Sequence, residues 1–164
     1  MTENHQFDAD ARIVSIRMDD QDQPRLPDEV AHERSIAIYD LIEENRFAIL
    51  AAQGPYALLL RSDSRHIGFD IRTPQETPVM AFVLAMGPFR RIIRDYRMVC
   101  DNYYEAIRTM PPSQIQAIDM GRRALHNEGS TLLQERLAGK AVMDFDTARR
   151  LFSLICVLRI GKRG

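Results

Sequence analysis

Apolar and polar residues first fall into register in ARIVSIRM, where Val14, Ile16 and Met18 lie on one side and Ile13, Ser15 and Arg17 on the other, the period of two that makes a strand. The polar, turn-rich stretch 19–27 then predicts a loop. From Asp28 the period lengthens: Val30, Ala37, Ile38, Leu41 and Ile42 recur at helical spacing through DEVAHERSIAIYDLIEEN, with Asp28 and Glu29 in the first turn, where the helix dipole favours acids. After Gln53-Gly54-Pro55, the runs YALLLR and RHIGFDIR flank Ser62-Asp63-Ser64 and predict a hairpin. Its second strand puts Ile67, Phe69 and Ile71 on one face and His66, Gly68, Asp70 and Arg72 on the other, so one face of the sheet meets water. VMAFVLAM (79–86) is apolar on both faces, the pattern of a central strand.

Beyond Pro88 the pattern is helical to the end. Phe89, Ile92, Ile93, Tyr96, Val99, Cys100, Tyr103, Ile107 and Met110 form one stripe, with Pro88 in the first turn and Pro111-Pro112 as the stop. Ser113 followed by Gln116 has capping-box spacing and predicts a third helix to about Ala138. A fourth follows Asp144-Phe145-Asp146, where either aspartate can cap, with Ala148, Leu151, Leu154, Ile155 and Leu158 inward. The expected fold is α+β: a mostly antiparallel four-stranded sheet with one early helix and three C-terminal helices, forming a single domain at 11–164 behind a disordered tail at 1–10.

Composition narrows the function without naming it. A chain of 164 residues, 45% hydrophobic and 27% charged, can bury an ordinary core. Its two cysteines, Cys100 and Cys156, both lie in apolar helical stretches and are expected as free core thiols. The polar start lacks the basic and apolar segments of a secretory leader, and the longest apolar run, 79–86, is far short of the roughly 20 residues of a membrane helix. A cytoplasmic protein without a membrane association is expected.

The net charge of −1 hides a split: residues 1–87 carry 8 Arg against 15 Asp or Glu, and residues 88–164 carry 12 Arg and 2 Lys against 8 acids. Either the halves pack against one another, or the basic half faces an anionic partner.

Most common chemistries are excluded by spacing. No P-loop and no GxGxxG occurs, so neither nucleotide cradle is present. His32-Glu33 lacks the second histidine one turn on that a zinc hydrolase needs, and four scattered histidines with two cysteines suggest no structural metal. No Gly-x-Ser-x-Gly elbow occurs. No cofactor is implied.

What remains is arginine placement. Three doublets, Arg90-Arg91, Arg122-Arg123 and Arg149-Arg150, fall one per C-terminal helix. Meeting at one spot they can hold phosphate or carboxylate, for which guanidinium is the preferred bidentate donor. The plainer alternative is helix-surface pairing with Asp95, Asp119 and Asp146, each three or four residues away. At about 100° per residue, Arg122 of the third helix falls in the apolar arc of Ile118, Leu125 and Leu132, beside Gly129, and must snorkel or meet a carboxylate of the first or second helix. Beside it runs a polar column of Asp119, Arg123, His126 and Ser130, flanked by Glu128. Ala117, Gly121 and Ala124 line an adjacent small-residue arc open to close approach by another helix, from this chain or a second copy.

Two readings follow. The first is a small interaction module whose basic helical face binds an acidic protein or a phosphate-bearing partner, and which can form a homodimer. The second is an enzyme on a small anionic substrate, with Arg122 and Arg123 binding charge and His126 or Glu128 moving protons. Nucleic acid ranks third, because aromatic residues are not interleaved with the arginines on an exposed face.

The segments HERSIAIYDLIEENRF, FDIR, FRRIIRDYRMVCDNYYEAI, PPSQIQAIDMGRRALHNEGS and DFDTARRLFSLICVLRI resemble uncharacterised protein family 0262, a bacterial family. The resemblance spans His32 to Leu158. It implies a short cytoplasmic protein, carries no assigned activity, and brings no catalytic residues to transfer.

Overall fold

A computed structural model describes residues 7–19 and 26–160; most of the expected 19–27 loop, and residues 1–6 of the expected tail, lie outside them. Four strands, β1 (Ile13–Met18), β3 (Tyr56–Ser62), β4 (His66–Arg72) and β5 (Pro78–Ala85), form one sheet in the order β1-β3-β4-β5. Both consecutive pairs from β3 onward are antiparallel, and β1 joins β3 in parallel. α1 (Asp28–Glu43) is the crossover that a parallel pairing requires. The other helices follow the sheet: α2 (Arg90–Thr109), entered through a 3₁₀ turn at Gly87–Phe89, then α3 (Pro112–Leu137) and α4 (Phe145–Leu158). No helix among the described residues is long and apolar enough to cross a membrane.

The hairpin forms around Asp63, whose Oδ1 accepts from the N–H groups of Arg65 (2.8 Å) and His66 (2.7 Å). Ile67, Phe69 and Ile71 of β4 turn inward as the alternation predicts. They share one core with α4, whose Ala148, Leu151, Phe152, Leu154 and Ile155 are all buried. Asp144, rather than Asp146, caps α4, accepting from the Thr147 N–H at 3.0 Å. At the other end Arg159 donates to the carbonyls of Asp63 (2.5 Å) and Ser64 (2.8 Å), tying the helix terminus to the β3–β4 turn.

Several expectations are corrected. β5 is an edge strand, with Met80, Phe82 and Leu84 toward the core and Ala81, Val83 and Ala85 outward; it is apolar on both faces without being flanked on both sides. A second sheet of two three-residue strands, β2 (Phe47–Ile49) and β6 (Ala141–Met143), was not predicted, three residues being too few to show alternation. The Ser113/Gln116 capping box does not form, because Pro112 takes the first helical position and the N-cap falls at Pro111, two residues before Ser113. The stripe of α2 is buried only at its start: between residues 101 and 125 Ala106 alone is buried, and Ile107 (50% exposed) and Met110 (41%) face water, since the α2–α3 hairpin runs past the sheet.

α1 stops at Glu43 because Asn45 turns to other work. Its Oδ1 accepts from Ile13 N–H (2.8 Å), and its Nδ2 donates to the carbonyls of Ile13 (3.0 Å) and Leu41 (2.9 Å), fastening α1 to the first residue of β1. Ile13 is 1% exposed, so Asn45→Ala strands buried backbone groups and is expected to cost about 1–3 kcal/mol in urea unfolding. A loss within error of zero would mean solvent replaces the side chain.

Candidate functional site

The polar columns of α3 and α4 face each other. On α4, Asp146, Arg149, Arg150 and Ser153 are spaced three and four residues apart and share one side, opposite the apolar face that meets the sheet. On α3, Arg122, Arg123 and His126 are placed likewise. With Tyr96 of α2 these eight side chains line a cleft of about 550 Å³. Four guanidinium groups therefore converge on one concavity, with Asp146 the carboxylate in its lining.

Each arginine is held differently. Arg122 donates through Nε (3.1 Å) and Nη2 (2.5 Å) to Oδ1 of Asp119, and its guanidinium lies 4.7 Å from the ring centre of Tyr103. The expected acid from α1 or α2 is thus replaced by one on the same helix, because at i,i+3 Asp119 reaches the group first. Arg123 bonds the other oxygen of Asp119 through Nε at 3.0 Å, so one carboxylate serves two cations. The Arg122 hydrogen bond holds the Asp119 carboxyl below its ordinary range. Arg150 reaches back to the end of α1, with Glu44 Oε2 at 3.5 Å and the Glu44 carbonyl at 3.2 Å, instead of pairing with Asp146. Arg149 has no carboxylate partner among the described residues, and its buried Nε–H has no acceptor there.

His126 is the buried member. It is 7% exposed, packed edge-on against Phe152 (centroids 5.2 Å, 82°) and beside Tyr96 (5.2 Å). Nε2 lies 2.8 Å from Ser153 Oγ, while Nδ1 is buried without a partner among the described residues. Burial first, then the charges of Arg149 and Arg122, lower its pKa to about 4. The imidazole is neutral at pH 7.

That depression has a sign for stability. The unfolded imidazole takes a proton near pH 6.5 and the folded one near 4, so its contribution is complete above pH 6.5 and is lost as pH falls toward 4. The slope is at most about 1.4 kcal/mol per pH unit. Subtracting the urea stability of His126→Gln from that of the wild type at each pH isolates the effect; a flat difference from pH 6.5 to 4 would refute it.

Other expected site residues are placed elsewhere. Arg90 and Arg91 do not join the cleft: Arg90 lines a separate groove with Arg94, Arg97 and Arg159, and Arg91 lies 3.5 Å from Asp95 and 3.7 Å from Glu128. Glu128, the alternative proton carrier, is therefore engaged outside the cleft. Ser130 is fully buried and donates to the His126 carbonyl at 2.7 Å, a bond within α3. The arc of Ala117, Gly121 and Ala124 is exposed, and among the described residues nothing beyond its own stretch of helix comes within 4 Å of where a Cβ on Gly121 would sit. Ser153 and Tyr96 were not foreseen as lining residues; Ser153 was legible as the residue one turn beyond Arg149. Among the described residues no cluster of three or more His, Cys, Asp or Glu could hold a metal ion, and both cysteines are free thiols.

Comparison with known proteins places this architecture in a bacterial lineage. The profile of an uncharacterised protein family (UPF0262) matches residues 10–161. A UPF0262 protein of Rhodospirillum rubrum is 51% identical over 158 residues, 96% of this chain and 98% of the relative. Others of that name, from Rhodopseudomonas palustris strain HaA2 and from Ruegeria pomeroyi, are 53% and 50% identical, covering 92% of this chain and 93% and 98% of theirs. No solved structure matches the chain.

Proposed function

We infer that this chain, which belongs to the uncharacterised protein family UPF0262, is an anion-binding interaction module of the cytoplasm whose α3–α4 cleft receives a phosphate- or carboxylate-bearing group of its partner. One observation carries the reading. Arg122, Arg123, Arg149 and Arg150 share a concave site with a buried imidazole, and in that site the Nε–H of Arg149 has no acceptor from the described chain. Asp119, Asp146 and Glu44 offset three of the four guanidinium charges, which leaves the cleft net positive, with Arg149 lacking a carboxylate of its own among the described residues. An anion in the cleft supplies the missing counter-charge.

Binding is favoured over catalysis by the state of His126. A general base works best with a pKa near the working pH, whereas this imidazole sits at about 4 and its Nε2 is occupied by Ser153. The enzyme reading keeps one contact in its favour, that same Nε2 to Oγ distance of 2.8 Å, which suits a serine nucleophile and its base. Such a pair needs an acid on Nδ1 to orient the ring, and Nδ1 has no partner among the described residues.

The test is a pH titration of the His126 imidazole by NMR with and without inorganic phosphate or pyrophosphate. An anion in the cleft stabilises the imidazolium, so its pKa should climb from about 4, and the climb should shrink with added salt. An imidazole indifferent to millimolar pyrophosphate would end the proposal.

A further inference from the structure

We propose that the free edge of β5 is a self-association surface, at which two copies of this chain pair strand to strand and join their four-stranded sheets into one of eight. Val79–Ala85 contains no charged or polar side chain, and among the described residues no strand pairs with its outer edge, β4 being its one sheet neighbour there. An edge strand presents a row of unpaired N–H and C=O groups that templates another strand, and monomeric proteins blunt such edges with charges, prolines or bulges. Here those devices are confined to one end: Pro78 begins the strand, and the register irregularity lies opposite it, between Ile71 and Arg72. The opposite edge, β1, carries Arg17, which is paired with Glu76, and has α1 against it. β5 is the undefended edge of the two.

A second copy is the occupant that the residues favour. Antiparallel pairing of β5 with itself brings no like charges together, since the strand has none, and it makes Ala81, Val83 and Ala85 of the two copies cross-strand neighbours on the outer face. Val83 is 60% exposed in the single chain and stands opposite Gly68 of β4, which offers it no side chain. Pairing gives it one. The same step explains why the strand is apolar on both faces: at the middle of an eight-stranded sheet it is a central strand. The interface uses none of the cleft residues, so the two proposals stand or fall separately.

The experiment is sedimentation of the full chain over a wide concentration range, for the wild type, Val83→Lys, Val83→Glu and an equimolar mixture of the two variants. The expected result is a wild-type dimer, two folded monomeric variants with wild-type circular dichroism, and a dimer regained on mixing, as opposite charges replace like ones across the pair. A wild type that stays monomeric, or a dimer unaffected by Val83→Lys, overturns the proposal. Should the variants fail to fold, amide exchange of the wild type decides: protection of residues 79–85 that rises with protein concentration supports the pairing, and concentration-independent protection refutes it.

Discussion

Alanine at Phe152 is expected to remove about 3–5 kcal/mol of stability, the largest effect of any single substitution in the α3–α4 seam. The ring is fully buried, 5.2 Å from the His126 ring and 6.1 Å from that of Tyr96, and one end of it occupies the space above Gly129. That position has no room for a side chain: a Cβ on Gly129 would lie 2.2 Å from Phe152 Cζ. In an exposed helix, glycine to alanine gains about 1 kcal/mol. Here Gly129→Ala should instead lose about 1–3 kcal/mol, because the phenyl ring is enclosed by His126 and Tyr96 and cannot swing away. The Gly129→Ala/Phe152→Ala double variant should be more stable than the sum of the two losses predicts, since the new methyl enters space the ring has vacated, with a coupling of about 1 kcal/mol or more. Urea unfolding of the four proteins measures it. A Gly129→Ala protein as stable as the wild type would mean that α3 and α4 slide past each other readily, and the cleft would then have no fixed width.

That close approach is also why the site was only partly legible in the chain. Projection of α3 onto a helical wheel brought out Arg122, Arg123 and His126, because column membership depends on spacing alone. It also admitted Glu128, two residues from His126 and so on another side of the helix, where it meets Arg91. All three arginine doublets look alike locally. Which of them meet is decided by helix crossing, and crossing is set by contacts such as Gly129 on Phe152 that join residues far apart in sequence. The fold shows the same division. The helices and the hairpin were visible because each repeats its period several times, whereas β2 and β6 are too short to repeat anything. β5 was visible as a strand but not as an edge, for strand order is a property of pairing and not of the strand itself.

Arg149→Met should weaken anion binding at least about tenfold while leaving the unliganded protein as stable as the wild type or more so. A charged hydrogen bond to an anion is worth about 1.5–3 kcal/mol, and tenfold in affinity corresponds to about 1.4. The stability half follows from what Arg149 lacks: its buried Nε has no acceptor in the described chain, and its charge adds to those of Arg122, Arg123 and Arg150 around the cleft. Methionine keeps much of the aliphatic stem and removes both the stranded donor and the repulsion. It also lifts one of the charges that depress His126, so the imidazole should titrate above its wild-type value of about 4 while burial still holds it below 6.5. Arg149→Lys separates charge from geometry, retaining the cation without the fork that grips two oxygens, and should fall between the two in pyrophosphate affinity. A residue kept for binding at the expense of stability leaves this paired signature. If Arg149→Met instead unfolds more easily and binds pyrophosphate as before, the guanidinium is a structural tie, and the convergence of charge in the cleft has some other purpose.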